Sequence, residues 1–153
     1  MKFETAKKKI DLILSNSKVM SLATASKKGI PSIRQMCVIF LNGKIYFQTD
    51  ANFAKSKDLA ENPAVALGVG AYSFFGTAKL LGAPKDNPEI LEVFGRTHQE
   101  AYETYSFLST EILFEISLNS CKIWDSHDAD FEGKETITTV DFESQTANTT
   151  FCT

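Results

Sequence analysis

The chain is short of cysteine, of histidine, of long apolar runs and of positive charge, and each shortage excludes something. Its 3 cysteines (Cys37, Cys121 and Cys152) are odd in number and show no Cys-x-x-Cys spacing. They suggest neither a disulfide framework nor a zinc site. The 2 histidines, His98 and His127, share no ligand spacing, so no metal is expected and both read as surface residues. No apolar stretch approaches the ~18 residues of a spanning helix. The lysine-rich start, followed by Ile10-Asp11-Leu12-Ile13-Leu14, is too interrupted for a secretory signal. No membrane association is therefore expected, and a reducing cytoplasm is the expected compartment. With 16 Lys+Arg against 19 Asp+Glu, the net charge is −3. Nucleic acid is a poor candidate partner, because affinity for a phosphate backbone comes from basic patches.

What is present suits one folded domain. The 153 residues are 43% hydrophobic and include 12 phenylalanines, enough for a sizeable core without a staple. The expected division is a single domain over residues 1–142 and a loose, polar C-terminal tail over 143–153.

Residues 4–16 read as an amphipathic helix with Ala6, Ile10, Ile13 and Leu14 on one face. Val19 to Ala25 reads as a strand, and 31–41 and 44–49 as two more, joined by Asn42-Gly43. Asn-Gly between apolar runs signals a hairpin, because both residues tolerate the positive φ of a type I′ turn. Asp50 to Asn52 offer N-caps for a short helix over Phe53 to Glu61, which Pro63 ends. Strands are expected at 64–69 and 74–81, and a helix from Asn87-Pro88-Glu89 to about Tyr105. A hairpin over 111–125 turning at Asn119-Ser120, an acidic loop over 126–134 and a last strand over 136–142 complete the chain. Strands that follow one another through short turns predict a mainly β antiparallel barrel of about 6–7 strands with helices outside, not a parallel βαβ sheet.

Chemistry concentrates in the first half. Period-two alternation puts Arg34 on one face with Met36, Val38 and Phe40. A guanidinium on an apolar stripe is costly unless an anion meets it. The short helix opens near Lys55, in a first turn where a cation is unfavourable and an anion is welcome. Arg34, Thr49 and Lys55 could together hold a phosphomonoester. Alternatively, Arg34 pairs with an internal carboxylate and Lys55 is a solvated surface charge.

At these residues the chain resembles a known family. Leu22-Ala23-Thr24-Ala25, then Gly29-Ile30-Pro31-Ser32-Ile33-Arg34-Gln35-Met36, is similar to the opening of the pyridoxamine 5'-phosphate oxidase-like, FMN-binding split-barrel family. Gly43 to Thr49, Lys55 with Leu59 and Asn62-Pro63, Gly76-Thr77-Ala78 and Ile112 to Asp125 continue the likeness in the same order. The resemblance implies a split barrel whose two subunits form FMN sites at their interface, and a flavin-dependent oxidoreductase acting on a small molecule. By position, Arg34 and Lys55 would contact the FMN phosphate. Gln35, Met36 and Cys37 would run along the flavin, Gln48 and Thr49 would line the pocket, and Trp124 falls where a partner subunit approaches the ring. True pyridoxamine phosphate oxidases carry a serine–arginine pair where this chain has Phe53-Ala54, and a second lysine where it has Ile39. Vitamin B6 oxidation is therefore not expected, and no catalytic acid or base is named. The alternatives are a non-enzymatic flavin- or ligand-binding barrel and a barrel using haem or deazaflavin.

Two other motifs fail. Gly68-Val69-Gly70 lacks the third glycine and the following helix of a dinucleotide loop. Asp128-Ala129-Asp130 begins like a calcium loop, but Thr139 stands where the last acidic ligand belongs.

Overall fold

The computed structural model describes residues 1–152. Helix α1 (Phe3–Asn16) precedes β1 (Val19–Ala25), β2 (Pro31–Cys37), β3 (Ile39–Leu41) and β4 (Lys44–Asp50). Helix α2 (Ala54–Glu61), β5 (Ala64–Val69) and β6 (Tyr72–Gly82) follow. Then come α3 (Pro88–Thr97), α4 (Gln99–Tyr105), β7 (Glu111–Asp128), β8 (Lys134–Asp141) and β9 (Thr146–Phe151).

All strand pairings are antiparallel. The main path runs β2-β1-β5-β6-β7-β4-β3, and a β8–β9 hairpin extends it from β7. Strands β2 and β3 end that path on opposite sides, yet Val38 alone separates them in sequence. A flat sheet of that width, at ~4.8 Å per strand, would hold its edges about 29 Å apart. One residue cannot span that distance, so the sheet curls round until its edges meet. The fold is an antiparallel split β-barrel with helices outside, as the sequence predicts, but with nine strands among the described residues where about 6–7 are expected. The backbone N–H of Val38 donates to Lys18 O at 2.9 Å and ties the join to the entry of β1.

The barrel interior is aliphatic and aromatic. Leu22, Phe47, Phe74, Ile116 and Val140 are buried, and the rings of Phe47 and Phe114 stack with centroids 5.2 Å apart. Ala6, Ile10 and Leu14 of α1 cover one side. Cys121 lies in the same core, where burial pushes its thiol up to about 12, so it behaves as a small hydrophobe. A second cluster of Ile39, Tyr46, Phe94 and Leu113 packs α3 against β3, β4 and β7.

Asn42 and Gly43 take φ 51° and 77°, the two left-handed positions that the Asn-Gly signal predicts. Five local expectations need correction. The 31–41 run is two strands, because Val38 carries the chain from one barrel edge to the other. The expected turn at Asn119-Ser120 is a β-bulge inside one long strand: Ser120 pairs with Phe75 and Leu118 with Gly76, leaving Asn119 as the extra residue. The long helix breaks at His98 (φ −131°, ψ 63°), and Gly95 lets the Tyr102 ring close over α3. Helix α2 is capped by Phe53 without a side-chain hydrogen bond, while Asp50 Oδ1 accepts from the Asn52 N–H at 2.8 Å instead. The tail is not loose. Its β-branched threonines form β9, with Ala147 against the core, Thr138 and Thr149 hydroxyls 2.8 Å apart, and the Met1 amino group donating to Thr149 Oγ1 at 3.2 Å.

Candidate functional site

A cleft of about 330 Å³ opens at one end of the barrel. The last residues of β2 (Gln35, Met36, Cys37) form one wall and the last of β4 (Gln48, Thr49, Asp50) another. Phe53 and Lys55, where α2 starts, and Glu111 at the head of β7 close the polar end. Phe94, Ala101, Tyr105 and Leu108, from α3, α4 and the turn after it, make an apolar roof. Thus six of the eight residues selected from the sequence line one cavity, although they come from three separate elements.

Arg34 stands beside this cleft. Its Nη1 donates to Thr24 Oγ1 at 2.8 Å and to the carbonyls of Leu22 and Ser32 at 3.3 Å. Thr24 in turn donates to Asp58 Oδ2 at 3.0 Å, so β1 and α2 fix the hydroxyl that fixes the guanidinium. Among the described residues Arg34 is in no ion pair, and neither is Lys55. The internal carboxylate partner that would have made Arg34 purely structural is absent from its contacts. Lys55 is held below the ordinary lysine value, first by burial and then by the positive charge of Arg34; Glu111 and Asp50 act the other way. Its ammonium also lies 4.7 Å from the centre of the Phe53 ring. Two cations that repel each other, one lining the cleft and one beside it, leave uncompensated positive charge there.

The side chains expected to line the pocket have distinct tasks. Thr49 is buried, and its hydroxyl takes no partner from the chain. No fully buried side-chain oxygen among the described residues is left unpaired, so this hydroxyl opens to the cleft. Gln48 is occupied otherwise: Ser106 Oγ lies 2.9 Å from its Nε2 and 3.1 Å from its Oε1, and Nε2 also donates to Glu111 Oε2 at 3.0 Å. Gln35 donates to Ser21 Oγ at 2.7 Å. Trp124 is elsewhere, far along β7, 48% exposed, with Nε1 donating to Glu135 Oε1 at 2.7 Å. Within one chain it does not reach the cleft.

Glu111, Asp50 and the α3–α4 roof join the site only through the fold, without a local signal in the sequence. Glu111 is 6% exposed, and burial pushes its carboxyl up to about 7 against the hydrogen bond from Gln48. His98, expected at the surface, is half-buried with Nε2 2.8 Å from Val38 O. It pins the helix break to the strand junction. His127 is exposed.

Among the described residues, no helix is long and apolar enough to cross a membrane. Curated protein sequences give no match to the chain. Solved structures share its fold. A putative pyridoxamine 5'-phosphate oxidase from Listeria innocua has a TM-score of 0.62 at 17% identity, covering 77% of this chain and 97% of that one. HutZ, the haem storage protein from Vibrio cholerae, has a TM-score of 0.62 at 16% identity, covering 77% and 91%. ChuZ from Campylobacter jejuni reaches 0.75 at 10% identity, covering 99% of this chain and 64% of that one. The family model described as pyridoxamine 5'-phosphate oxidase matches residues 6–124, the stretch that builds the barrel and the cleft, and the chain belongs to that family.

Proposed function

We infer that this protein is an FMN-dependent oxidoreductase of small molecules, in which two copies of the chain complete the cofactor site. The observation that carries the reading is the pair Arg34 and Lys55, two cations beside one cleft with no carboxylate paired to either. A phosphomonoester supplies the missing counter-charge, and bidentate guanidinium contacts suit it. Thr49 adds a free hydroxyl, the end of β2 adds main chain, and the apolar roof suits a planar ring. The residues present therefore fit FMN at its phosphate end. The fit rests on two cations, because Ile39 is packed in the second core cluster and Ala54 stands where the family's serine–arginine pair has its arginine.

FMN, when bound, supplies the hydride and electron chemistry. The chain's part is to anchor the phosphate through Arg34 and Lys55, to orient the ring along β2, and to exclude water with Phe94, Tyr105 and Leu108. Phe53, Tyr105, Phe107 and Leu108 leave a large exposed apolar rim around the opening, the kind of surface a second copy covers. Trp124 would then reach the site from the other subunit.

Haem is the second reading, favoured by the likeness to HutZ. The visible absorption spectrum of the purified protein separates the two. Flavin bands that survive desalting, or that are retained after FMN is added and the excess removed, support the proposal. A Soret band with no retention of FMN overturns it.

A further inference from the structure

The Glu111 carboxyl is the unusual group of this cleft. Its residue is buried, yet among the described residues it forms no ion pair. The two oxygens differ. Oε2 accepts from Gln48 Nε2 at 3.0 Å, and Gln48 is itself held by Ser106. Oε1 takes no partner from the chain and is not a sealed, unpaired atom, so it opens to the cleft that Glu111 lines. Because Oε2 is committed as an acceptor, a proton on this carboxyl resides on Oε1, pointed at the occupant.

The charged and titratable groups around it come from each neighbouring element. Asp50 of β4 is its direct cross-strand partner, Lys55 comes from α2, and Cys37 of β2 and Tyr105 of α4 face the same cavity. Arg34 acts on Lys55 from beside it. Lys55 favours the ionised carboxylate, and Asp50 disfavours it. An anion drawn to Lys55 cancels that favourable charge and adds a negative one.

Resting on the flavin reading, we propose that Glu111 is the proton-linked binding residue of the cleft: it takes up a proton on Oε1 when a phosphorylated ligand binds, and donates a hydrogen bond from it to an acceptor on that ligand. No covalent or redox step is involved. The proton comes from solvent and returns there on release. Glu111 burial, which already favours the neutral acid, supports the same assignment.

The test is FMN affinity by fluorescence titration from about pH 5.5 to about pH 8.5, for the wild-type chain and Glu111→Gln. The glutamine preserves shape and removes the titration. The second ionisation of the FMN phosphate acts on both proteins and cancels in their ratio. The two proteins should bind alike near pH 6, and E111Q should bind about tenfold more tightly than wild type near pH 8. Infrared difference spectra of the wild type at neutral pH, with and without FMN, should show a protonated-carboxyl band on binding, so the proposal stays testable if E111Q fails to fold. An affinity ratio independent of pH, or binding without that band, overturns the proposal and leaves the flavin reading intact. Failure of the wild type to bind FMN at any pH overturns both.

Discussion

Asp50 and Glu111 stand directly opposite each other across β4 and β7, and their environments drive the two carboxyls apart. Asp50 accepts from the Asn52 N–H at 2.8 Å and the Thr110 hydroxyl at 2.8 Å, contacts that hold it below the ordinary aspartate value. Glu111, turned inward beneath the apolar roof, is raised by burial from 4.5 to about 7. A raised carboxyl means that the folded state keeps a proton the unfolded state has lost. Its stabilising contribution is full below 4.5 and disappears as pH rises through about 7. Glu111→Gln should therefore gain in melting temperature relative to wild type as pH rises from about 5 to about 8. Thermal melts across that range check it, and parallel curves contradict it.

Gly76 sits where β6 meets β7 at the bulge. A Cβ there would collide with the carbonyl oxygen of Ser117, which is backbone and cannot swing away. Gly76→Ala should cost about 1–3 kcal/mol in denaturant unfolding. A neutral substitution would mean that the bulge shifts freely.

Strand β9 predicts a role for residues that read as tail. Removing 143–153 uncovers the edge of β8, separates Thr138 from Thr149 and frees the Met1 amino group. The shortened chain should lose about 1–3 kcal/mol and aggregate more readily. Unchanged unfolding curves would show that the strand contributes nothing.

What could be read from the sequence follows from which features are local. The Asn42-Gly43 turn, the α1 stripe and the alternation of β1 depend on neighbours a few residues apart, and they fold as their residues demand. Arg34 and Lys55 were recognisable because each is misplaced in its own element, a cation on an apolar strand and a cation in a helix's first turn. Glu111 carries no such local mark. Its burial arises because α3 and α4 fold back over β4 and β7, a long-range event hinged at His98, where neither proline nor glycine stands. Asn119-Ser120 has turn composition, yet both sides of β7 are claimed by partner strands, and the ladder absorbs the extra residue as a bulge. The Thr146–Phe151 segment has only Ala147 and Phe151 as apolar residues, too few to mark a strand, and its β-branched threonines suit an edge position instead.

The exposed apolar rim predicts association. Phe107 is 61% and Leu108 50% exposed beside the cleft opening. Light scattering after gel filtration should give a dimer mass, and Phe107→Ser with Leu108→Ser should shift it to monomer and weaken FMN retention. A wild-type monomer that holds FMN contradicts the two-copy site.

In the proposed FMN site Arg34 and Lys55 hold the phosphate. Fluorescence titration of FMN and of riboflavin, its phosphate-free counterpart, tests it in the wild type, R34A, K55A and the double variant. Each charge-assisted contact contributes roughly 1.5–3 kcal/mol, so each single variant should weaken FMN binding about 10- to 100-fold while riboflavin binding changes little. The double variant should bind the two flavins alike. Wild-type affinity for FMN in the double variant would contradict the assignment.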